Sequence, residues 1–306
     1  MDLIFLIFGT AILLFSGDML VRAAVDISLK MTISPMIVGL TVIAFGTSAP
    51  ELLVGLQATW KGFGGLALGN IIGSNIANVL LILGAPALII SVRSSDNGLK
   101  QNYYFMLAGT FLFIIFLLFG QINFWQGLIL IFLLFVFIVQ AIHYSWNSEK
   151  PSSSPEIDQE RKELNGWTLG IFFAAGLIGL PLGAHILITS ATSLAETIGV
   201  SDEVIGLTVV ALGTSLPELA TAIAAAYRRE VNLLLGNVIG SNMFNVLGIA
   251  GAAALIAPLQ LVEKLEAISL LSLFVSCIIL APFILLKKSL MNLKFQKSTG
   301  QLEKTS

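Results

Sequence analysis

The chain has 306 residues, 56% of them hydrophobic and 11% charged, with mean hydropathy +0.93 and a formal charge of −2. A soluble domain carries about 25% charged residues, so this composition excludes an ordinary soluble fold and points to an integral membrane protein. The lone Cys277 excludes a disulfide framework or a cysteine-based metal site, and the charge gives no sign of a nucleic-acid partner.

Taken in order, apolar stretches long enough to span a bilayer, for which about 20 residues are needed, occupy 3–21, 34–60, 65–91, 103–120, 123–143, 167–190, 203–227, 232–256 and 265–286. These predict nine transmembrane helices. The first follows Met1 and Asp2 directly, with no basic residue before Arg22, whereas a signal peptide needs a positive start. It reads as a retained helix. Residues 145–165, centred on SEKPSSSPEIDQERKE, read as a solvated linker. The chain thus divides into a first membrane unit (1–144), a linker (145–165), a second membrane unit (166–286) and a polar tail (287–306).

The two units are related. Residues 38–51 read VGLTVIAFGTSAPE and residues 205–218 read IGLTVVALGTSLPE, ten of fourteen positions agreeing at a shift of 167. At the same shift GNIIGSNIANVL (69–80) falls on GNVIGSNMFNVL (236–247), nine of twelve agreeing. One common offset for two motifs indicates a duplication. With the N-terminus outside, fourteen of the sixteen Lys and Arg residues fall on cytoplasmic segments, and only Lys61 and Lys264 fall outside. Basic residues are retained in the cytoplasm, so the pattern predicts an external N-terminus with linker and tail cytoplasmic. Five helices separate equivalent positions, so the repeats should be inverted, the plan of a secondary transporter.

The repeated stretches are polar inside apolar helices. Ala44, Thr47, Ser48 and Glu51 stand at i, i+3, i+4 and i+7 and share a helix face, as do Ala211, Thr214, Ser215 and Glu218. Pro50 and Pro217 cannot donate to the carbonyls of Gly46 and Gly213, so each helix must kink or open. That should free backbone oxygens near Ala44 and Ala211. Ser74 with Asn78, and Ser241 with Asn245, add hydroxyl and amide oxygens at i, i+4 on the next helix of each half. Gly69, Gly73, Gly236 and Gly240 should let helices approach closely. The motifs hold carboxylates, hydroxyls, amides and carbonyls but no thiolate or histidine. This is a donor set for a hard cation such as calcium, which takes six to eight oxygens, rather than for zinc or copper. Two glutamates in mid-membrane are costly unless a cation or protons offset their charge.

The paired GTSxPE and GNxxGSNxxN motifs resemble the two alpha repeats of the cation/calcium exchanger superfamily, in particular its prokaryotic sodium/calcium antiporters, over nearly the whole chain. The resemblance implies an all-α membrane protein of two inverted five-helix repeats. It implies a multi-pass protein of a prokaryotic inner membrane, with the lipid bilayer as partner, no enzymatic activity and no cofactor. Cytoplasmic Ca2+ would be exchanged for entering Na+ by alternating access, the first and sixth helices moving against the core. Carried over by position, Glu51 and Glu218 are the central ligands, and Thr47, Ser48, Thr214 and Ser215 supply hydroxyl or backbone oxygens. Ala44 and Ala211 supply carbonyls, while Ser74, Asn78, Ser241 and Asn245 complete the cage. Two departures stand out. Many members have an aspartate where this chain has Asn245, and after Leu286 the sequence is too polar for a tenth helix. A proton/calcium antiporter of the same fold is the alternative, then a cation channel. A membrane hydrolase is disfavoured, because no histidine, cysteine or aspartate accompanies the motifs.

Other polar residues are expected to be structural: Asp18 with Arg22 as a local ion pair, and His185, equivalent to Asp18, as a hydrogen-bonded histidine. Asn75 and Asn242 should join helices, while His143, beside Tyr144 and Trp146, belongs to an interfacial belt. Glu156, Asp158, Glu160 and Glu163 read as a solvated charge run.

Overall fold

The computed structural model describes residues 2–92, 97–147, 164–199, 211–260 and 266–285. These form α1 (Asp2–Lys30), α2 (Pro35–Thr47), α3 (Ala49–Trp60), α4 (Gly64–Ile89), α5 (Asn97–Leu118) and α6 (Phe124–Asn147), followed by α7 (Gly166–Thr197), α8 (Ala211–Thr214), α9 (Leu216–Tyr227), α10 (Val231–Ile256) and α11 (Glu266–Leu285). Seven are long and apolar enough to cross a membrane alone, and α2 with α3, bent by 46°, makes an eighth span. The expected span 203–227 is described only from 211 onward, as α8 and α9. The linker core and the polar tail also lie outside the described residues.

Burial sorts the helices into layers. The most apolar stretch of α10 is 83% buried, against 22% in α6 and in α7, so α10 is the axis and α6 and α7 face outward. Leu3, Phe15, Phe132, Phe135 and Leu271 are exposed, as expected of side chains whose solvent is hydrocarbon. Aromatic residues exposed at helix ends, Trp60, Phe119, Trp125, Trp167 and Tyr227, suit the polar–apolar boundary.

The repeated helices pack backbone to backbone. A Cβ at Gly236 or Gly240 would overlap the Met36 or Leu40 carbonyl, so these glycines seat α10 against α2. Gly69 and Gly73 depart from expectation: nothing described lies within 4 Å of a Cβ built there. Their counterpart contact would fall on residues 203 and 207, outside the described set.

α1 and α7 run antiparallel along their whole length. Gly9 meets Gly183 and Leu187, and Gly176 meets Leu20, each at backbone distance. Both helices outrun their predicted bounds, because polar residues at their ends find partners. The buried Asp26 accepts the Leu164 N–H at 2.7 Å and Lys30 donates to the Leu164 carbonyl at 2.7 Å, while Ser193 donates to Asp2 at 3.0 Å. The far end of the linker is thereby fastened to α1. The near end shifts too, since α6 continues to Asn147. α1 also lies along α9, where a Cβ at Gly17 would come within 2.9 Å of the Ala220 carbonyl. Cys277 is buried in α11 as expected, and its carbonyl accepts the Tyr103 hydroxyl at 3.0 Å.

Candidate functional site

Each motif helix breaks at a serine. Ser48 (φ −83°, ψ 9°) separates α2 from α3, and Ser215 (φ −88°, ψ 5°) separates α8 from α9. Proline follows within the first two positions of each new helix, where its missing N–H costs nothing. Glu51 and Glu218 therefore sit in first turns, where unsatisfied N–H groups and the helix dipole favour negative charge. The kink predicted from Pro50 and Pro217 is present, but one expected consequence is not. The Ala44 carbonyl is engaged, accepting the Ser48 N–H at 3.0 Å, because the chain leaves helical geometry only at Ser48 itself. The same carbonyl lies 3.4 Å from the Thr47 hydroxyl, which donates more closely to the Ile43 carbonyl at 3.1 Å. Ala211 stands in α8, and its side-chain surroundings lie outside the described set.

The two halves serve each other's carboxylates. The Ser48 hydroxyl donates to Glu218 Oε1 at 2.8 Å, and the Ser215 hydroxyl donates to Glu51 Oε1 at 3.4 Å. Thr47 lies beside Glu218 and Thr214 beside Glu51. Both glutamates are buried, at 1% and 2% exposure, and each leaves its Oε2 without a partner. Around them the α4 and α10 residues cross-link: Asn245 Nδ2 donates to Ser74 Oγ at 3.1 Å, and Asn78 Nδ2 to Asn242 Oδ1 at 3.0 Å.

The buried polar atoms left without a partner among the described residues are Glu51 Oε2, Glu218 Oε2, Asn78 Oδ1, Asn245 Oδ1, Ser241 Oγ and Asn237 Oδ1. All are oxygens. An orphaned buried acceptor ordinarily costs about 1–3 kcal/mol, so six in one helix bundle call for a common explanation. Five belong to residues singled out from the sequence. No group of three or more His, Cys, Asp or Glu that could hold a metal occurs among the described residues, so the charge at this centre comes from the glutamates.

Several residues escaped the sequence reading. Asn237 is one, although the GN of the second motif marks it; Thr221, whose Oγ1 accepts from Asn237 Nδ2 at 3.3 Å, is another. Asn70, the counterpart of Asn237, donates to the Glu51 carbonyl at 3.3 Å. Asp18 does pair with Arg22 at 3.0 Å, but it also receives Arg228 Nε at 2.6 Å from the end of α9. His185 is exposed on α7 rather than held in the interior, because α7 turns its Gly183–Ala184 side toward α1. Asn75 donates to the Ile71 carbonyl within its own helix, whereas Asn242 does join helices, through Asn78 and Met106.

Buried carboxylates at two helix breaks, ringed by neutral oxygens, form a donor set suited to a hard cation. The sodium/calcium exchanger protein family model matches residues 1–142 and again 168–301, and the chain belongs to that family; it is a cation/calcium antiporter. It is 35% identical to inner membrane protein YrbG of Escherichia coli over 262 residues, covering 83% of this chain and 79% of that one. It is 31% identical to the sodium/calcium exchanger MaX1 of Methanosarcina acetivorans, covering 86% and 85%. A solved structure of the sodium-calcium exchanger NCX_Mj, soaked with Na+ and Ca2+, superposes with a TM-score of 0.79 at 29% identity, covering 92% of this chain and 90% of that one.

Proposed function

We propose that the protein exchanges Ca2+ for Na+ by alternating access, both ions competing for oxygens around Glu51 and Glu218. The observation that carries this reading is the set of unpartnered, buried oxygens. Two carboxylates with amide and hydroxyl oxygens suit a hard cation, and two negative charges balance one Ca2+ or two Na+. Thr47, Ser48, Thr214 and Ser215 orient the carboxylates and lend oxygens. Ser74, Asn78, Ser241 and Asn245 close the cage, with carbonyls of Ala44 and Ala211 at its ends. Without a cation, two buried carboxylates cost several kcal/mol, and that cost favours loading before the site changes sides.

The antiparallel run of α1 against its repeat-equivalent α7 supports inverted repeats. We place the N-terminus outside and the linker and tail in the cytoplasm of a prokaryotic inner membrane. The moving parts are α1 and α7, which lie over the broken helices rather than within them.

Calcium uptake into proteoliposomes preloaded with sodium tests the reading against potassium, choline or an imposed pH gradient. Uptake driven by outward sodium alone is the expected result. Uptake that follows protons and ignores sodium would replace the coupling ion, and flux without any counter-ion would replace the antiporter with a channel.

A further inference from the structure

Asn237 is buried at 3% exposure and its Oδ1 has no partner. Its amide nitrogen is committed to Thr221 Oγ1 at 3.3 Å, which turns the oxygen the other way. Thr221 is itself anchored, donating to the Glu218 carbonyl at 2.9 Å, so the pair hangs from the glutamate-bearing helix one turn beyond Glu218.

On α10 the unpartnered oxygens of Asn237, Ser241 and Asn245 recur at i, i+4 and i+8 and form one column. At 1.5 Å per residue the column is about 12 Å long. An oxygen cage around one calcium, with ligands near 2.4 Å, is about 5 Å across. One ion cannot engage both ends of the column. The first half has no equivalent. Asn70 is half-buried with its amide on the Glu51 carbonyl, and Val54 stands where the second half has Thr221.

We infer that Asn237, oriented by Thr221 and joined by Ser241, forms an additional cation position one helical turn from Glu218 toward the Arg228 end of α9, present in the second half alone. Its protein oxygens are an amide and a hydroxyl, both neutral. Without a carboxylate of its own, the position suits a monovalent ion rather than calcium. It is a stopping place between the central cage and one membrane face, and it rests on the exchanger reading above.

Equilibrium binding of radioactive Na+ and Ca2+ to the purified full-length chain in detergent tests it. In the wild type, sodium binding that calcium displaces and that Glu218→Gln abolishes is expected; a wild type that binds no sodium overturns the exchanger reading together with this one. In Asn237→Ala the number of bound sodium ions should fall by one, while calcium affinity shifts less than about threefold. Asn237→Asp gives the position a charge and should let a second calcium bind, which provides a readout if the alanine variant does not fold. Wild-type stoichiometry for both ions in a folded variant overturns the inference, and so does equal weakening of both, which would mark Asn237 as a support for Glu218 alone.

Discussion

Ser48 reaches Glu218 at 2.8 Å and Ser215 reaches Glu51 at 3.4 Å, the first a full-strength hydrogen bond to a carboxylate and the second near the outer limit. The two serines should therefore differ in effect although the sequence presents them as equals. Ser48→Ala should raise the calcium concentration for half-maximal uptake about tenfold, and Ser215→Ala about twofold, in the proteoliposome assay. Glu51→Gln or Glu218→Gln should abolish calcium uptake while leaving the size-exclusion profile of the protein intact, since each removes one of the two buried charges. Asn245→Asp adds a carboxylate at the Ser74 contact and should shift the calcium-to-sodium affinity ratio; an unchanged ratio would place Asn245 outside the cage. These residues were legible because oxygen donors inside apolar helices have few reasons to be there. Asp18 was read as the partner of Arg22 alone, because Arg228 lies 210 positions away and nothing local announces it.

At the level of helices, the helix breaks at the two motifs were legible from residue chemistry, and so was the order of the apolar stretches that fall on described residues. The packing was only half legible. Small residues mark where close approach is permitted, and at Gly236 and Gly240 a neighbouring backbone fills the space, whereas at Gly69 and Gly73 none of the described chain does. Gly240→Val should accordingly destabilise the protein by about 1–3 kcal/mol, seen as a lower melting temperature in detergent, because the Leu40 carbonyl on α2 cannot yield without shifting the broken helix. Gly73→Val, with no described atom within 4 Å of a Cβ there, should have a markedly smaller effect. The ends of α1 and α7 were misjudged by hydropathy, which stops counting where charged residues begin. Asp26 and Lys30 remain helical because their partner, Leu164, comes from the far end of the linker.

At the level of the whole molecule the duplication is not matched by equal packing. α1 lies along α9 through Gly17 and Ala220 and is pinned there by Asp18 and Arg228. The equivalent elements, α7 and α3, make no comparable contact among the described residues, and Leu53, the counterpart of Ala220, is 60% exposed. The counterparts of Asp18 and Arg228 are His185 and Lys61, which cannot form an acid–base pair of this kind. Among the described residues, α1 is therefore tied to α9 by a pair that the other half does not repeat. Arg228→Gln should speed amide hydrogen exchange in the last turn of α9 about fivefold, the effect of losing a partly exposed ion pair worth up to about 1 kcal/mol. Arg22→Gln should do less, since its single contact is longer and its side chain is 47% exposed.

The crossed serine–glutamate bonds also say something about how small such a protein can be. Neither half completes its own acid: Glu51 needs the hydroxyl of the later half and Glu218 that of the earlier one. A half-length polypeptide would be chemically unfinished until it met another copy. Joining the halves turns that chance encounter into an intramolecular one, with an effective concentration on the order of millimolar. It also releases the two copies from having to stay identical. Thr221 where the first half has Val54, and Asp18 where the second half has His185, are what that release permits.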